Sequence, residues 1–224
     1  MISAGGFARH TSIWTQVTPT MEQVVRWANS EKFSLGRSVS SRSDSQRNSL
    51  IAETAFLLAR YSHASSDPPP VEMELEARSF LTHLPRTESV AEALTPEEWE
   101  EVYEIRERIV AYTHWLPETE FSPTIPGCGV VDQAIGDAVS GTELIEIKAV
   151  ARPFRSIDFR QILTYAAMYY SVGRRLEKIT LLNPRNSCRF SSTLDVVASG
   201  SSGKPTVELL QELVEWMIGL QVSA

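Results

Sequence analysis

Residues 125–152 read IPGCGVVDQAIGDAVSGTELIEIKAVAR, and the fold turns on how this stretch is paired. Glycines punctuate it, β-branched residues alternate with polar ones, and GDAVSGT at 136–142 has turn composition, so it predicts a β-hairpin. Downstream, SIDFRQILTYAAMYYSVG predicts a helix opened by Ser156 and closed by Gly173. KITLLNP at 178–184 predicts a strand, and residues 189–198 predict another. A terminal amphipathic helix over 207–220 presents Leu209, Leu210, Leu213, Met217 and Leu220 on one face.

Upstream the pattern is helical. Thr95, Pro96 and Glu98 form a capping box ahead of a helix over 96–114, whose apolar face carries Trp99, Val102, Tyr103, Ile109 and Val110. Its six glutamates between Glu97 and Glu107 read as a solvated face. Helical spacing also predicts helices over 20–29, over about 50–61 and over 72–84, with the proline run at 65–70 breaking the chain. GRSVSSRSDSQRNS at 36–49 has no apolar period and reads as a loop. From residue 95 the order is helix, strands, helix, strand, strand, helix. This predicts an α/β core with a central mixed sheet over 95–224, preceded by a mainly helical portion over 1–94.

The chain has 224 residues, 42% of them hydrophobic, enough for a real core. Its net charge of −7 gives no sign of a polyanion-binding protein, but the charge is unevenly spread. Residues 148–189 hold nine Lys and Arg against two acids, a local charge of +7. Two cysteines are too few for a disulfide framework and show no CxxC spacing, so a reducing cytoplasm is expected. No apolar run is long enough to span a membrane, and the start lacks the pattern of a signal peptide. ASGSSGKP at 198–205 fails as a phosphate loop, because Ala198 and Pro205 occupy its decisive positions, and reads as a turn. Cys128 is not followed by any histidine, so its glycine neighbours, Gly127 and Gly129, point to a close backbone approach instead.

A turn centred on Val139 sets Asp132 across from Glu146. Val131 and Ile135 then share the packed face with Ile145 and Ile147, while Lys148 joins the two acids. Paired carboxylates repel unless a cation lies between them, and hard oxygen ligands suit Mg²⁺ or Mn²⁺. Such a site favours metal-assisted attack on a phosphate ester. Asp137 is the alternative first carboxylate, if the turn is centred on Gly141. That register sets it opposite Ile145 on the packed face, so Asp132 is preferred and Asp137 reads as a turn residue. Arg152, Arg155 and Arg160 follow the EIK strand and are candidates to grip nucleic-acid phosphates. Nothing places Arg42 and Arg47 near them.

Gly129-Val130-Val131-Asp132, thirteen residues, Glu146-Ile147-Lys148, then Gln161 and Tyr165 on the next helix together resemble the PD-(D/E)xK nuclease superfamily, in particular its RecB-like branch with a QxxxY motif. The resemblance covers about residues 95–183 by order of elements, with Val131 where the named motif has proline. It implies a restriction-endonuclease-like core and a Mg²⁺-dependent DNase. Asp132 and Glu146 would be metal ligands, with the Ile147 carbonyl as a further one, and Lys148 would position or activate water. Gln161 and Tyr165, one helical turn apart, would orient water, lysine or phosphate. The family's acid on a preceding helix has three competing candidates, Glu101, Glu104 and Glu107, and is assigned to none. By analogy, the chain is expected in a restriction, phage-defence or repair system with other protein subunits. The alternative is an inactive nuclease-fold subunit that binds nucleic acid or a protein.

Overall fold

The computed structural model of the chain describes residues 1–63, 69–82 and 92–220. Residues 65–68 of the expected proline break and 83–84 of the expected helix lie outside these. With strands numbered along the chain, Phe33–Ser34 (β1), Thr119–Phe121 (β2), Ala138–Ser140 (β5), Glu143–Ile147 (β6), Lys178–Asn183 (β7) and Cys188–Thr193 (β8) form one sheet. Its order is β1-β8-β7-β6-β5-β2. Only β6 and β7 run parallel; the other neighbours are antiparallel. Thr124–Ile125 (β3) and Ala134–Ile135 (β4) pair separately. This is an α/β fold with a mixed central sheet.

Helices cover both faces. On one lie Ala4–Ala8 (α1), Thr11–Val17 (α2), Met21–Glu31 (α3), Ser156–Ser171 (α7), Leu194–Ser202 (α8) and Thr206–Gly219 (α9); on the other lie Asn48–His63 (α4), Pro70–Thr82 (α5) and Pro96–Thr113 (α6). Strand alternation sorts the sheet residues between the two cores. Val139, Leu144, Ile179 and Leu181 pack with Phe7, Trp14, Phe159 and Leu213, whereas Ala138, Ile145 and Leu182 pack with Leu50, Ile51, Ile105 and Ile109. Each core mixes residues from before and after position 94, and β1 pairs directly with β8. A boundary at 94/95 therefore does not separate two cores.

Several expectations hold in detail. The capping box at α6 is formed: the Thr95 hydroxyl accepts from the Glu98 N–H, and the Glu98 carboxylate accepts from the Thr95 N–H. Gly129, at φ +56°, lies against the end of α9; a Cβ there would come within 2.2 Å of the Met217 carbonyl oxygen. Other expectations need correction. The strand expected over 189–198 stops at Thr193, whose hydroxyl accepts from the Val196 N–H and starts α8. Residues 198–202, read as part of a turn, belong to this helix, which ends at left-handed Gly203. Ser156 does not cap α7. The Asp158 carboxylate instead accepts the Arg155 N–H at 2.9 Å, and the Ser156 hydroxyl bonds to Glu22. Helices α1 and α2 were not anticipated.

Candidate active site

The hairpin turns at Gly141 and Thr142, with Gly141 at φ +56°. Ala138 faces Ile145 and Val139 faces Leu144, so one further step in this register sets Asp137, not Asp132, across from Glu146. The Asp137 carboxylate accepts the Ile147 N–H at 2.6 Å. The pairing centre thus falls beyond Val139 and just beyond Gly141. A shift of one residue from the Gly141 register flips Asp137 from the packed face to that of Glu146.

Asp132 is carried elsewhere. Ala134 and Ile135 pair with β3 rather than β6, Val131 bridges Cys128 and Ile2, and the Asp132 N–H donates to the Ile2 carbonyl. Val131 packs in the α7-side core and Ile135 is exposed, so neither shares the packed face with Ile145. The expected Asp132–Glu146 pairing is therefore corrected to Asp137–Glu146.

The remaining motif residues converge. Alternation along β6 brings Glu146 and Lys148 to the face covered by α7. The Lys148 Nζ donates to Glu146 Oε1 at 2.6 Å and to Gln161 Oε1 at 2.9 Å. Gln161 Nε2 in turn donates to the Tyr165 hydroxyl at 2.9 Å. Four side chains from a strand and a helix form one chain of hydrogen bonds, which holds the ammonium in a fixed place.

Electrostatically the site is strained. Burial, and then the neighbouring Asp137 charge, push the Glu146 carboxyl up to about 8. Burial likewise pushes Asp137 up, to about 6, against the pull of Lys148 and the Ile147 N–H. For Lys148, burial works against the ammonium, but the surrounding acids, Glu146 foremost, outweigh it and its pKa is raised. Burial also raises the Tyr165 hydroxyl, which stays protonated at neutral pH while accepting from Gln161.

Among the described residues no group of three or more His, Cys, Asp or Glu side chains could hold a metal ion by itself. Two hard carboxylates forced together and short of positive charge nonetheless suit a divalent cation that completes its shell with backbone carbonyl, water or phosphate oxygens. Asp137 also borders a cleft of about 610 Å³ lined by Glu53 and Arg60 of α4, Glu76 of α5, Ser122, Ile147 and Ala149. Arg60 pairs with Glu76 at 2.8 Å. Burial raises the Glu53 carboxyl, and its charge reaches Asp137.

Comparisons with protein-family models, curated proteins and solved structures found no match.

The candidates for an acid on a preceding helix lie away from the site. Glu101 is buried against Arg185, Glu104 faces Arg42 and Arg108, and Glu107 is exposed, its charge acting on Arg108. Two helical acids border the cleft, Glu53 of α4 and Glu76 of α5, the latter paired with Arg60, and neither was anticipated from the sequence. For Glu53 the signal was position: it lies two residues after Ile51 and one before Thr54, both buried, and is the one acid in α4. The three arginines divide. Arg152 is held bidentately by Asp158 at 2.7 and 2.8 Å, so its charge is already matched. Arg155 is exposed at the start of α7, and the Arg160 Nε is buried with no hydrogen-bond partner among the described residues. Arg42 and Arg47 pair with glutamates of α6.

A stability test follows from the two raised carboxyls. The folded state binds protons that the unfolded chain has released, so in chelator stability falls as pH rises from the ordinary carboxylate range through about 6 and about 8. Thermal melts should show this fall and its partial reversal by saturating Mn²⁺. Glu146→Gln should flatten the pH dependence and remove the Mn²⁺ effect. A pH-independent melt of the unsubstituted protein would contradict this.

Proposed function

We propose that the chain is a divalent-metal-dependent nuclease of the PD-(D/E)xK type with a restriction-endonuclease-like core, acting on phosphodiester bonds of nucleic acid, DNA before RNA. One observation carries this reading: Asp137 and Glu146 meet across a hairpin beside a lysine that a glutamine and a tyrosine hold in place. An ion would be held by Asp137, Glu146 and, as the resemblance implies, the Ile147 carbonyl. When bound, Mg²⁺ or Mn²⁺ supplies Lewis acidity toward a phosphoryl oxygen and makes bound water more acidic. Lys148 positions the attacking water and balances charge beside the acids. Gln161 fixes the lysine, and Tyr165 fixes Gln161. Arg155 is the arginine left free to meet phosphate. Without a cation the acidic cleft repels phosphate, which makes metal dependence part of the reading.

A role in a restriction, phage-defence or repair system, with other subunits, rests on analogy with the resembled family. The rival reading, a nuclease fold that binds without turnover, draws on the direct Lys148–Glu146 contact, which occupies one oxygen of a proposed ligand. Linear, circular and single-stranded substrates incubated with Mg²⁺, Mn²⁺ or chelator separate the two. Cleavage should require the metal and fall by ~10²-fold or more in Lys148→Ala, the scale lost with a general acid/base group. Cleavage undiminished in chelator, or in Lys148→Ala, contradicts the proposal.

A further inference from the structure

On the opposite face of the sheet, towards its β1–β8 edge, a pocket of about 390 Å³ lies between the C-terminal half of α6 and strands β1, β7 and β8. Its walls combine three aromatic rings, Phe33, Tyr112 and Trp115, with three cations, Arg108, Lys178 and Arg189, and contain no carboxylate residue. Two of the rings are unusually open, Phe33 at 59% and Trp115 at 83% exposed. Contiguous apolar surface rimmed by polar groups, as here, is a feature of ligand-binding grooves and interaction sites.

The cations are not equivalent. Lys178 is matched by Glu143 at 3.0 Å, and Glu143 itself is turned inward to Tyr112 and Thr180. Arg108 donates to the carbonyls of Pro184 and Arg37. Among the described residues no carboxylate lies within salt-bridge distance of Arg189. Its guanidinium lies 5.1 Å from the Phe33 ring centre and 5.2 Å from that of Tyr112, and it donates to the Ser191 hydroxyl at 3.3 Å. A guanidinium held between two rings keeps in-plane N–H groups for an anion, and its orientation is set in advance.

We infer that this pocket binds a nucleoside phosphate, with the base stacked on Trp115 or Phe33 and the phosphate on Arg189. Stacking surface beside unpaired positive charge is what a single nucleotide unit requires, whether free or within a single strand. The site lies apart from Asp137 and Glu146 and does not depend on the nuclease reading.

Calorimetry in chelator, so that no metal-dependent cleavage intervenes, tests it with adenosine 5′-monophosphate, adenosine, inorganic phosphate and a short oligothymidylate. The expected result is binding of the nucleotide, the oligothymidylate or both, weakened roughly 5-fold or more in Trp115→Ala and in Arg189→Met, the range of one lost base stack or charged hydrogen bond. Trp115 is exposed enough for its variant to fold. Binding of the mononucleotide assigns the site to free nucleotide; binding of the oligothymidylate alone assigns it to a strand. The inference is overturned if neither ligand binds, if both variants bind as the parent does, or if adenosine or phosphate alone binds as tightly as the nucleotide.

Discussion

Asp137→Asn is expected to abolish Mn²⁺ binding and to lower turnover by ~10²-fold or more, while Asp132→Asn leaves both within about twofold. The two residues are five apart in sequence and both are carboxylates, so the contrast isolates position. Asp137 borders the cleft, holds the Ile147 N–H and faces Glu146, whereas Asp132 is fixed by its backbone to Ile2 in a different part of the fold. Calorimetry with Mn²⁺ beside a cleavage assay on both variants checks this. Loss in Asp132→Asn with retention in Asp137→Asn would restore the register centred on Val139 and refute the site as described.

Glu101→Ala is expected to destabilise the protein by about 3–5 kcal/mol, the range for breaking a buried ion pair from one side. Glu101 and Arg185 are 0% and 1% exposed, and their charges meet at 2.8 Å. Among the described residues the Arg185 Nε and second Nη have no hydrogen-bond partner, and Glu101 is the carboxylate that meets its charge. The other Glu101 oxygen accepts the Arg42 N–H and ties down the 36–49 loop. Urea unfolding measures the loss directly. A change below about 1 kcal/mol would place this glutamate among ordinary surface residues.

These two residues also mark where the sequence was readable. The period of 3.6 revealed α4, α6, α7 and α9, because each buries a long apolar stripe. The same period sets Glu98 and Glu101 on the face of Ile105 and Ile109, yet charge counting alone made them solvent-facing. For the site, Glu146 and Lys148 were legible because strand alternation sets them on one face; Gln161 and Tyr165 came from the family resemblance, with one helical turn placing them on a common face. The first acid was not. Hairpin register depends on the turn, and a displacement of one residue at Gly141–Thr142 exchanges the two faces. Alternation is compatible with several registers, and nothing local in 131–135 reveals that this segment pairs with β3. Glu53 was hidden for another reason: it reaches the cleft through the packing of α4 on α6, a contact between elements far apart in sequence.

In the proposed site the hairpin brings Asp137 and Glu146 together to hold a divalent ion. Anomalous scattering from a crystal soaked in Mn²⁺ tests it most directly. A single strong peak within coordinating distance of one oxygen of each carboxylate, with Asp132 unoccupied, is the predicted result. No peak at saturating Mn²⁺, or a peak on Asp132 instead, would contradict it.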